Sequence, residues 1–229
     1  MRIYCIRHGE TEANKTNRLQ GSHNWPLNEY GIKLAEITGN NMKGIKFDVC
    51  FSSPLDRAKQ TAEIILKNSG NEDVEIKYDE RIKEINLGIY EGKKIIPNEL
   101  EVPLLKILTF KYNPFLSGRF KNGETAREVC KRTQSFLKEL SKMNYENVLV
   151  STHGFAMRAM LNMLEKNKFN FWQGRVPYNC SVCIVDVIDG KMKLIERDKI
   201  YYDSKYLIDR FDFKKFSVKN RWKAYYLNN

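Results

Sequence analysis

The chain has 229 residues, of which 42% are hydrophobic, and a formal net charge of +11 at pH 7. No stretch approaches the roughly 20 consecutive apolar residues that a membrane helix requires. The first residues run directly into a predicted strand without the apolar stretch of a signal peptide. We therefore expect a cytoplasmic protein that forms one domain over 1–229 and has no membrane partner.

The positive charge indicates an anionic partner, which is a nucleic acid, a membrane surface or a small anionic substrate. Lysines are spread along the whole chain and form no basic run of the nucleic-acid type. Five cysteines are scattered without the pattern of a disulfide framework. Cys180 and Cys183 have the Cys-x-x-Cys spacing, but 181–187 is a predicted strand and no second pair exists to complete four zinc ligands. We predict buried, reduced thiols and no metal site.

The first predicted strand covers residues 2–6 and leads into Arg7-His8-Gly9-Glu10-Thr11. Loops at the carboxyl ends of strands are where open α/β sheets bind ligands. We therefore expect His8 to face solvent in a crevice, although a surface loop without chemistry is the alternative at this point. A long polar loop is predicted over 12–28.

Helices and strands then alternate. A helix is predicted to begin near Asn28, and a second strand covers 46–51. Ser53 is predicted to cap the next helix, with Pro54 at its first position, so that Arg57 lies in the first turn. A helix N-terminus with a free arginine suits an anion.

A third strand is predicted over 74–78. Three prolines punctuate 93–122, which we interpret as an insertion with a short helix around 104–110. Gly123-Glu124-Thr125 then opens a long helix, and a buried strand follows over 147–151.

Two of the three histidines, His8 and His153, each follow an apolar strand and each precede a glycine. Parallel neighbouring strands would bring both to one edge of the sheet. Neutral His8 can then attack a phosphoryl group in line, while the arginines and the second histidine donate to its oxygens. A carboxylic acid would protonate the leaving alkoxide. His23 lies in a loop, and we assign it no role.

The chain resembles the histidine phosphatase superfamily, which includes the cofactor-dependent phosphoglycerate mutases, in a series of motifs in the family's order. They are Arg7-His8-Gly9-Glu10-Thr11, Ser52-Ser53-Pro54-Leu55-Asp56-Arg57-Ala58, Glu84 with Gly88 and Glu91-Gly92, Gly123-Glu124-Thr125, and Thr152-His153-Gly154. The resemblance implies an α/β fold with a mainly parallel sheet flanked by helices on both faces. It also implies an insertion that partly covers the site, which we assign to 93–122 as a lid-like insertion. We interpret 198–229 as a C-terminal extension.

By this resemblance His8 is the phosphorylated nucleophile and Glu84 the proton donor, while Arg7, Arg57 and His153 form the phosphate pocket. The substrate-binding residues that it implies are Gly9, Thr11, Asn14, Gln20, Gly21 and Gly154. The predicted chemistry requires neither a metal nor a cofactor. We expect a small phosphorylated metabolite as the substrate.

The run from Lys83 to Gly92 resembles the phosphatase form of the family, since the mutase form has a Tyr-Gly-Gly-Leu-type run after the acid. The 93–122 insertion also lacks the Arg-Arg pair that is typical of mutases. We therefore predict a metal-independent phosphomonoester hydrolase. A cofactor-dependent phosphoglycerate mutase and a non-catalytic phospho-ligand-binding protein of the same fold are the alternatives. A homodimer is compatible with the sequence.

Two segments lie at the margin of the resemblance. Aromatic and basic residues over 110–121 form, as a hypothesis, a lid that selects the non-phosphate part of the substrate; a small satellite core is the alternative. Residues 198–229 follow a hairpin with its turn at Asp189-Gly190 and interleave aromatic with basic residues. This pattern is typical of single-strand binders, but aspartates dilute it. We predict rings packed on the domain and no nucleic-acid partner.

Overall fold

A computed structural model describes residues 1–96 and 99–207 of the chain. The described strands are β1 (Arg2–Arg7), β2 (Val49–Ser52), β3 (Ile76–Tyr78), β4 (Ile95–Ile96), β5 (Glu99–Leu100), β6 (Asn147–Thr152), β7 (Val182–Ile188) and β8 (Lys191–Lys199). The described α-helices are α1 (Glu12–Lys15), α2 (Glu29–Asn40), α3 (Asp56–Ser69), α4 (Leu104–Tyr112), α5 (Ala126–Leu140) and α6 (Gly154–Leu161). In these ranges no helix has the length and apolar character needed to cross a bilayer.

The main sheet has six strands in the order β3-β2-β6-β1-β7-β8. The pairs β3–β2, β2–β6 and β6–β1 are parallel, whereas β1–β7 and β7–β8 are antiparallel. Parallel neighbours require a crossover segment, and helices supply it here. The predicted mainly parallel α/β sheet is confirmed.

The side chains of β1 alternate between two hydrophobic clusters because successive residues of a strand point to opposite faces. Ile3 and Cys5 pack with apolar residues of α5 and α6 on one face of the sheet. Tyr4 and Ile6 pack with residues of α2 and α3 on the other face. Helices therefore cover both faces, as predicted, and the central strands β1 and β6 are buried except at their first residues.

The second strand begins later than the prediction of 46–51, at Val49. Asp48 ends the preceding turn, where its carboxylate accepts the backbone N–H groups of Glu146 and Asn147 at 2.6 and 2.9 Å. These bonds fix the chain just before β2 enters the sheet. The local sequence pattern does not show that the Asp48 side chain binds a loop about 100 positions away.

The polar segment after His8 contains the short helix α1 where the sequence predicted a loop. Thr11 is its N-cap and forms a capping box with Asn14, in which each side chain binds the backbone of the other. Asn at the third helical position stands in place of the usual Glu or Gln, so the signal is weak in the sequence.

The hairpin of β7 and β8 turns at Asp189 and Gly190, both with positive φ, as predicted. Beyond it, the rings of Tyr202 and Tyr206 pack on the cluster that contains Tyr4. The predicted packing of the extension is thus observed as far as residue 207, and its remainder lies outside the described residues. All five cysteines are free and buried.

Candidate active site

The two histidines that follow apolar strands meet at one edge of the sheet. β1 and β6 are parallel neighbours, with Arg7 in register with Thr152. His8 and His153 are the next residues of the two strands, and their ring centroids lie 5.2 Å apart. The topology therefore produces the juxtaposition that the sequence pattern predicted.

His8 is buried on the wall of a cavity, with 2% of its surface exposed. The expectation that it faces solvent is wrong, because the strand before it is central in the sheet. Its Nδ1 lies 2.6 Å from the carbonyl oxygen of Gly9, a distance that requires the proton on Nδ1. The lone pair is then on Nε2. Burial and the nearby Arg57 and Arg7 lower the pKa of His8 well below its usual range, so the ring is neutral at pH 7.

Arg7 is a buried cation beside His8. One of its terminal N–H groups donates to the carbonyl of Pro177. Its Nε is buried without a hydrogen-bond partner in the described residues. Gly154 lies opposite, where a Cβ would be 3.5 Å from this Nε. A buried, unpaired N–H of a cation is costly, and an anion in the cavity would satisfy it.

Arg57 lies in the first turn of α3, as predicted, but protein acceptors hold its guanidinium. It donates to the carbonyls of Gly21 and His23, both at 2.7 Å, and to Nδ1 of His153 at 3.1 Å. These bonds use three of its five N–H groups. Burial lowers the pKa of Arg57 to about 10, which leaves it charged at neutral pH.

The start of α3 differs from the prediction. The helix begins at Asp56 with Leu55 at the N-cap, so Ser53 is not the cap and Pro54 precedes the helix. The Ser53 hydroxyl lies 2.8 Å from Nε2 of His153 and accepts the Leu55 N–H at 3.3 Å. Since Arg57 donates to Nδ1, the His153 proton is on Nε2 and points to Ser53. Both ring nitrogens of His153 therefore have protein partners.

Glu84 approaches the same cavity from the segment between β3 and the insertion. Its two carboxylate oxygens accept the backbone N–H groups of Phe155 and Ala156 at 3.2 and 3.0 Å, and one of them accepts that of Ile85 at 3.0 Å. The first two donors belong to the first turn of α6, directly after His153. The carboxylate is thus held at a helix N-terminus on the cavity wall.

Arg132, which the sequence analysis did not identify, fixes the segment that carries Glu84. From the middle of α5 it donates to the carbonyls of Arg81, Lys83 and Glu84 at 2.7–3.0 Å. It also forms an ion pair with Glu124 at 2.8 Å. Its target residues are about fifty positions away, so no local pattern indicates this role.

A second such residue is Asn179. Its side-chain amide donates to the carbonyl of His8 at 3.0 Å and lies 3.4 Å from Oδ1 of Asn14. It joins the loop before β7 to the loop after β1. No motif in the sequence contains it.

The six predicted substrate-binding residues divide into two groups. Asn14, Gln20, Gly21 and Gly154 line the cavity together with Arg7, His8, Arg57 and Glu84. Gly9 and Thr11 do not line the cavity; they contact the segments that form its walls.

Close backbone approach explains Gly9. Its N–H donates to the Thr61 hydroxyl at 3.0 Å, and a Cβ on it would lie 2.6 Å from the carbonyl oxygen of Gly31. Thr11 caps α1 and donates its hydroxyl to Oε1 of Gln20 at 2.9 Å. Both residues set the shape of the loop that contains His8.

The cavity has a volume of about 110 Å³. Besides the polar residues above, it has an apolar part that belongs to two hydrophobic clusters, and we call this part its apolar or outer end. Its apolar lining consists of Leu19, Ile85, Leu87, Ile95, Val102, Ile107, Phe110, Phe120, Phe155, Trp172 and Val176. Phe110 and Phe120 of the predicted lid are in this lining, whereas Arg119 and Lys121 are not. Arg119 forms an ion pair with Glu128 at the start of α5.

A mainly parallel α/β sheet with two buried histidines and two buried arginines at one edge defines an enzyme of the phosphatase class. The chain belongs to the histidine phosphatase superfamily (branch 1), whose family model matches residues 3–198. The family resemblance found in the sequence is confirmed.

Known proteins of the family carry both phosphatase and mutase names. The chain is 31% identical over 208 residues to broad-specificity phosphatase YOR283W of Saccharomyces cerevisiae. The alignment covers 86% of this chain and 84% of that protein. It is 32% identical over 168 residues to phosphoglycerate mutase of Schizosaccharomyces pombe. That alignment covers 71% of this chain and 79% of the mutase. Among solved structures, YhfR of Bacillus stearothermophilus superimposes with a TM-score of 0.79 at 28% identity. The superposition covers 87% of this chain and 97% of YhfR.

Proposed function

We propose that the protein hydrolyses phosphomonoesters through a phosphohistidine intermediate on His8. The observation that carries the proposal is a neutral, buried His8 next to a buried Arg7. Among the described residues, neither Nε2 of His8 nor Nε of Arg7 has a hydrogen-bond partner. A nucleophile and an anion-binding cation in one cavity suit in-line attack on a phosphoryl group. Arg57 adds positive charge at the same edge.

The reaction has two steps. First, Nε2 of His8 bonds to phosphorus, the ester P–O bond breaks, and Glu84 gives its proton to the leaving oxygen. Second, Glu84 takes a proton from water, the hydroxide oxygen bonds to phosphorus, and the P–N bond breaks. Inorganic phosphate leaves, and both side chains return to their starting protonation states. The cations of the protein neutralise the phosphoryl oxygens, so no step uses a metal ion.

Hydrolysis is favoured over mutase activity by the run from Lys83 to Gly92, which has the phosphatase form. Support for general phosphatase chemistry comes from the likeness to a broad-specificity phosphatase. A mutase needs the cavity to hold a second charged group of a phosphoglycerate, and the outer end of this cavity is mainly apolar, with two cations, Arg18 and Lys106, that already donate to protein carbonyls.

The test measures inorganic phosphate release from sugar phosphates, phosphoglycerates, nucleotides and an aryl phosphate in excess chelator. We expect release by the parent and none by His8→Ala. Rapid acid-free quenching followed by intact-protein mass spectrometry should show one added phosphoryl group on the parent only. Fast interconversion of 2- and 3-phosphoglycerate that depends on bisphosphoglycerate, without net phosphate release, would refute the proposal.

A further inference from the structure

The outer part of the active-site cavity is built from aromatic and aliphatic side chains. We propose that it binds the non-phosphate group of the substrate, and that this group is an uncharged apolar ring or chain, as in a monophosphate of an aromatic or alicyclic alcohol. The inference rests on the proposed function, because the apolar group is the leaving alcohol of the same ester.

The aromatic walls hold one another in place. Phe110 stacks on Phe155 with ring centroids 5.1 Å apart, and meets Phe120 and Trp172 edge to face at 5.3 and 5.7 Å. The indole N–H of Trp172 donates to the backbone carbonyl of Phe110 at 3.0 Å. The indole nitrogen of Trp172 therefore donates its proton to a residue of the cavity wall and not to a ligand. The surfaces left towards the cavity are apolar and suit ring edges or aliphatic carbons.

Two cations lie in the lining of this outer part, and protein oxygens hold both. Lys106 donates to the carbonyls of Ser117 and Arg119 and lies 4.5 Å from the centre of the Phe120 ring. Arg18 donates to the carbonyl of Gly92 at 2.7 Å. Its guanidinium also lies 3.9 Å from the carboxylate of Glu101.

These pairings reduce the attraction that either cation offers to a charged ligand. A substrate carboxylate at the apolar end would lose its water among aromatic and aliphatic side chains, and Lys106 and Arg18 already donate to protein oxygens there. Burial of a charge without a compensating partner is strongly unfavourable. An apolar group gains from leaving water, by roughly 25 cal/mol per Å² of buried apolar surface. The outer cavity therefore selects against phosphoglycerate-like esters and favours apolar ones.

The experiment compares phenyl phosphate with 4-carboxyphenyl phosphate, which differ by one negative charge at the distal end of the ring. We expect kcat/KM of the full-length parent to be at least about tenfold higher for phenyl phosphate, equivalent to about 1.4 kcal/mol. The ratio of the two kcat/KM values does not depend on the fraction of active protein.

Two variants at Ile107 locate the effect, and one at Leu105 is their control. Ile107 lines the cavity from α4, whereas Leu105 on the same helix is 73% exposed. Ile107→Arg puts a new cation in the apolar end and should shrink or reverse the preference, and Ile107→Ala should reduce it by weakening binding of the phenyl ring. Leu105→Arg adds the same charge outside the cavity and should leave the ratio at the parental value.

The outcomes separate the two proposals. Equal or better turnover of the carboxylated ester by the parent overturns the inference while the phosphatase proposal stands. A preference that neither Ile107 variant changes overturns the location in the outer cavity. Absence of phosphate release from every ester overturns the proposed function and the inference with it.

Discussion

The Glu84 carboxylate accepts the backbone N–H of Ala156 at 3.0 Å, which joins the segment after β3 to the first turn of α6. This helix begins directly after His153. One helix start therefore holds a carboxylate on the cavity wall and lies next to a histidine whose ring nitrogens bind Arg57 and Ser53. The arrangement makes the position of Glu84 depend on the carboxyl end of β6, the strand that also places His153 beside His8.

Glu84→Gln should lower kcat/KM for an alkyl phosphate by about 10²–10⁴-fold, because a poor leaving group needs a proton. The loss should be much smaller for 4-nitrophenyl phosphate, whose leaving group departs as a stable anion. Steady-state phosphate release from both esters measures the difference. Glu72→Gln changes an exposed carboxylate and is the matched control. An equal loss for both esters would show that Glu84 is not the proton donor.

Arg132→Ala should release the segment that carries Glu84, since it removes donors to three carbonyls and the ion pair with Glu124. We expect a loss of about 2 kcal/mol in the free energy of unfolding. The same leaving-group dependence as for Glu84→Gln should appear, because Arg132 positions that carboxylate.

Arg127→Ala removes an exposed arginine from the same helix and should leave both quantities near the parental values. Urea unfolding and the two-ester comparison provide the measurements. A stability loss with no change in leaving-group dependence would mean that Arg132 has a structural role alone.

Gly31→Ala tests how tightly the loop after His8 packs on α2. A Cβ at Gly31 would overlap the backbone nitrogen and oxygen of Glu10, and backbone atoms cannot rotate away. In an open helical position this change would stabilise the protein by roughly 0.5–1 kcal/mol. Here we expect a destabilisation of about 1–3 kcal/mol, as for overpacking in a core.

Urea unfolding measures the effect, and Lys33→Ala on the exposed side of α2 is the control. Since Glu10 follows Gly9 in the His8 loop, phosphatase activity should fall together with stability. A variant as stable as the parent would contradict the close backbone approach.

The buried histidines should make stability depend on pH. Burial and the nearby Arg57 lower the pKa of His8 and of His153 well below 6.5. The unfolded chain takes up protons on both rings as the pH falls through about 6.5, whereas the folded protein does not. The free energy of unfolding should therefore decrease on acidification below about pH 6.5, by up to about 1.4 kcal/mol per histidine and pH unit, until the folded pKa values are reached.

Urea unfolding across this range gives the slope. The double variant His8→Gln and His153→Gln should have a flatter slope, while His23→Gln removes a histidine whose side chain is 60% exposed and provides the comparison. Identical slopes in the parent and the double variant would mean that these two rings titrate alike in the folded and the unfolded protein.

Local signals in the sequence were sufficient for the main elements and for the central pair of the site. His8 and His153 were identifiable because each follows an apolar strand and precedes a glycine, and parallel strands end at one sheet edge. The start of a long helix after Gly123-Glu124-Thr125 and the Asp189-Gly190 turn are likewise local, and both are observed. Such signals depend on residues within a few positions of one another.

Tertiary structure alone decided which side chains serve the site from a distance. Arg132 and Asn179 act on carbonyls that are about 50 and 171 positions away in the chain. The burial of His8, the pairing of Arg57 with backbone carbonyls, and the apolar end of the cavity also arise from packing between separate segments. A hydrogen bond between distant segments depends on how those segments pack in the folded protein. Local sequence periodicity does not show which distant segments will be in contact.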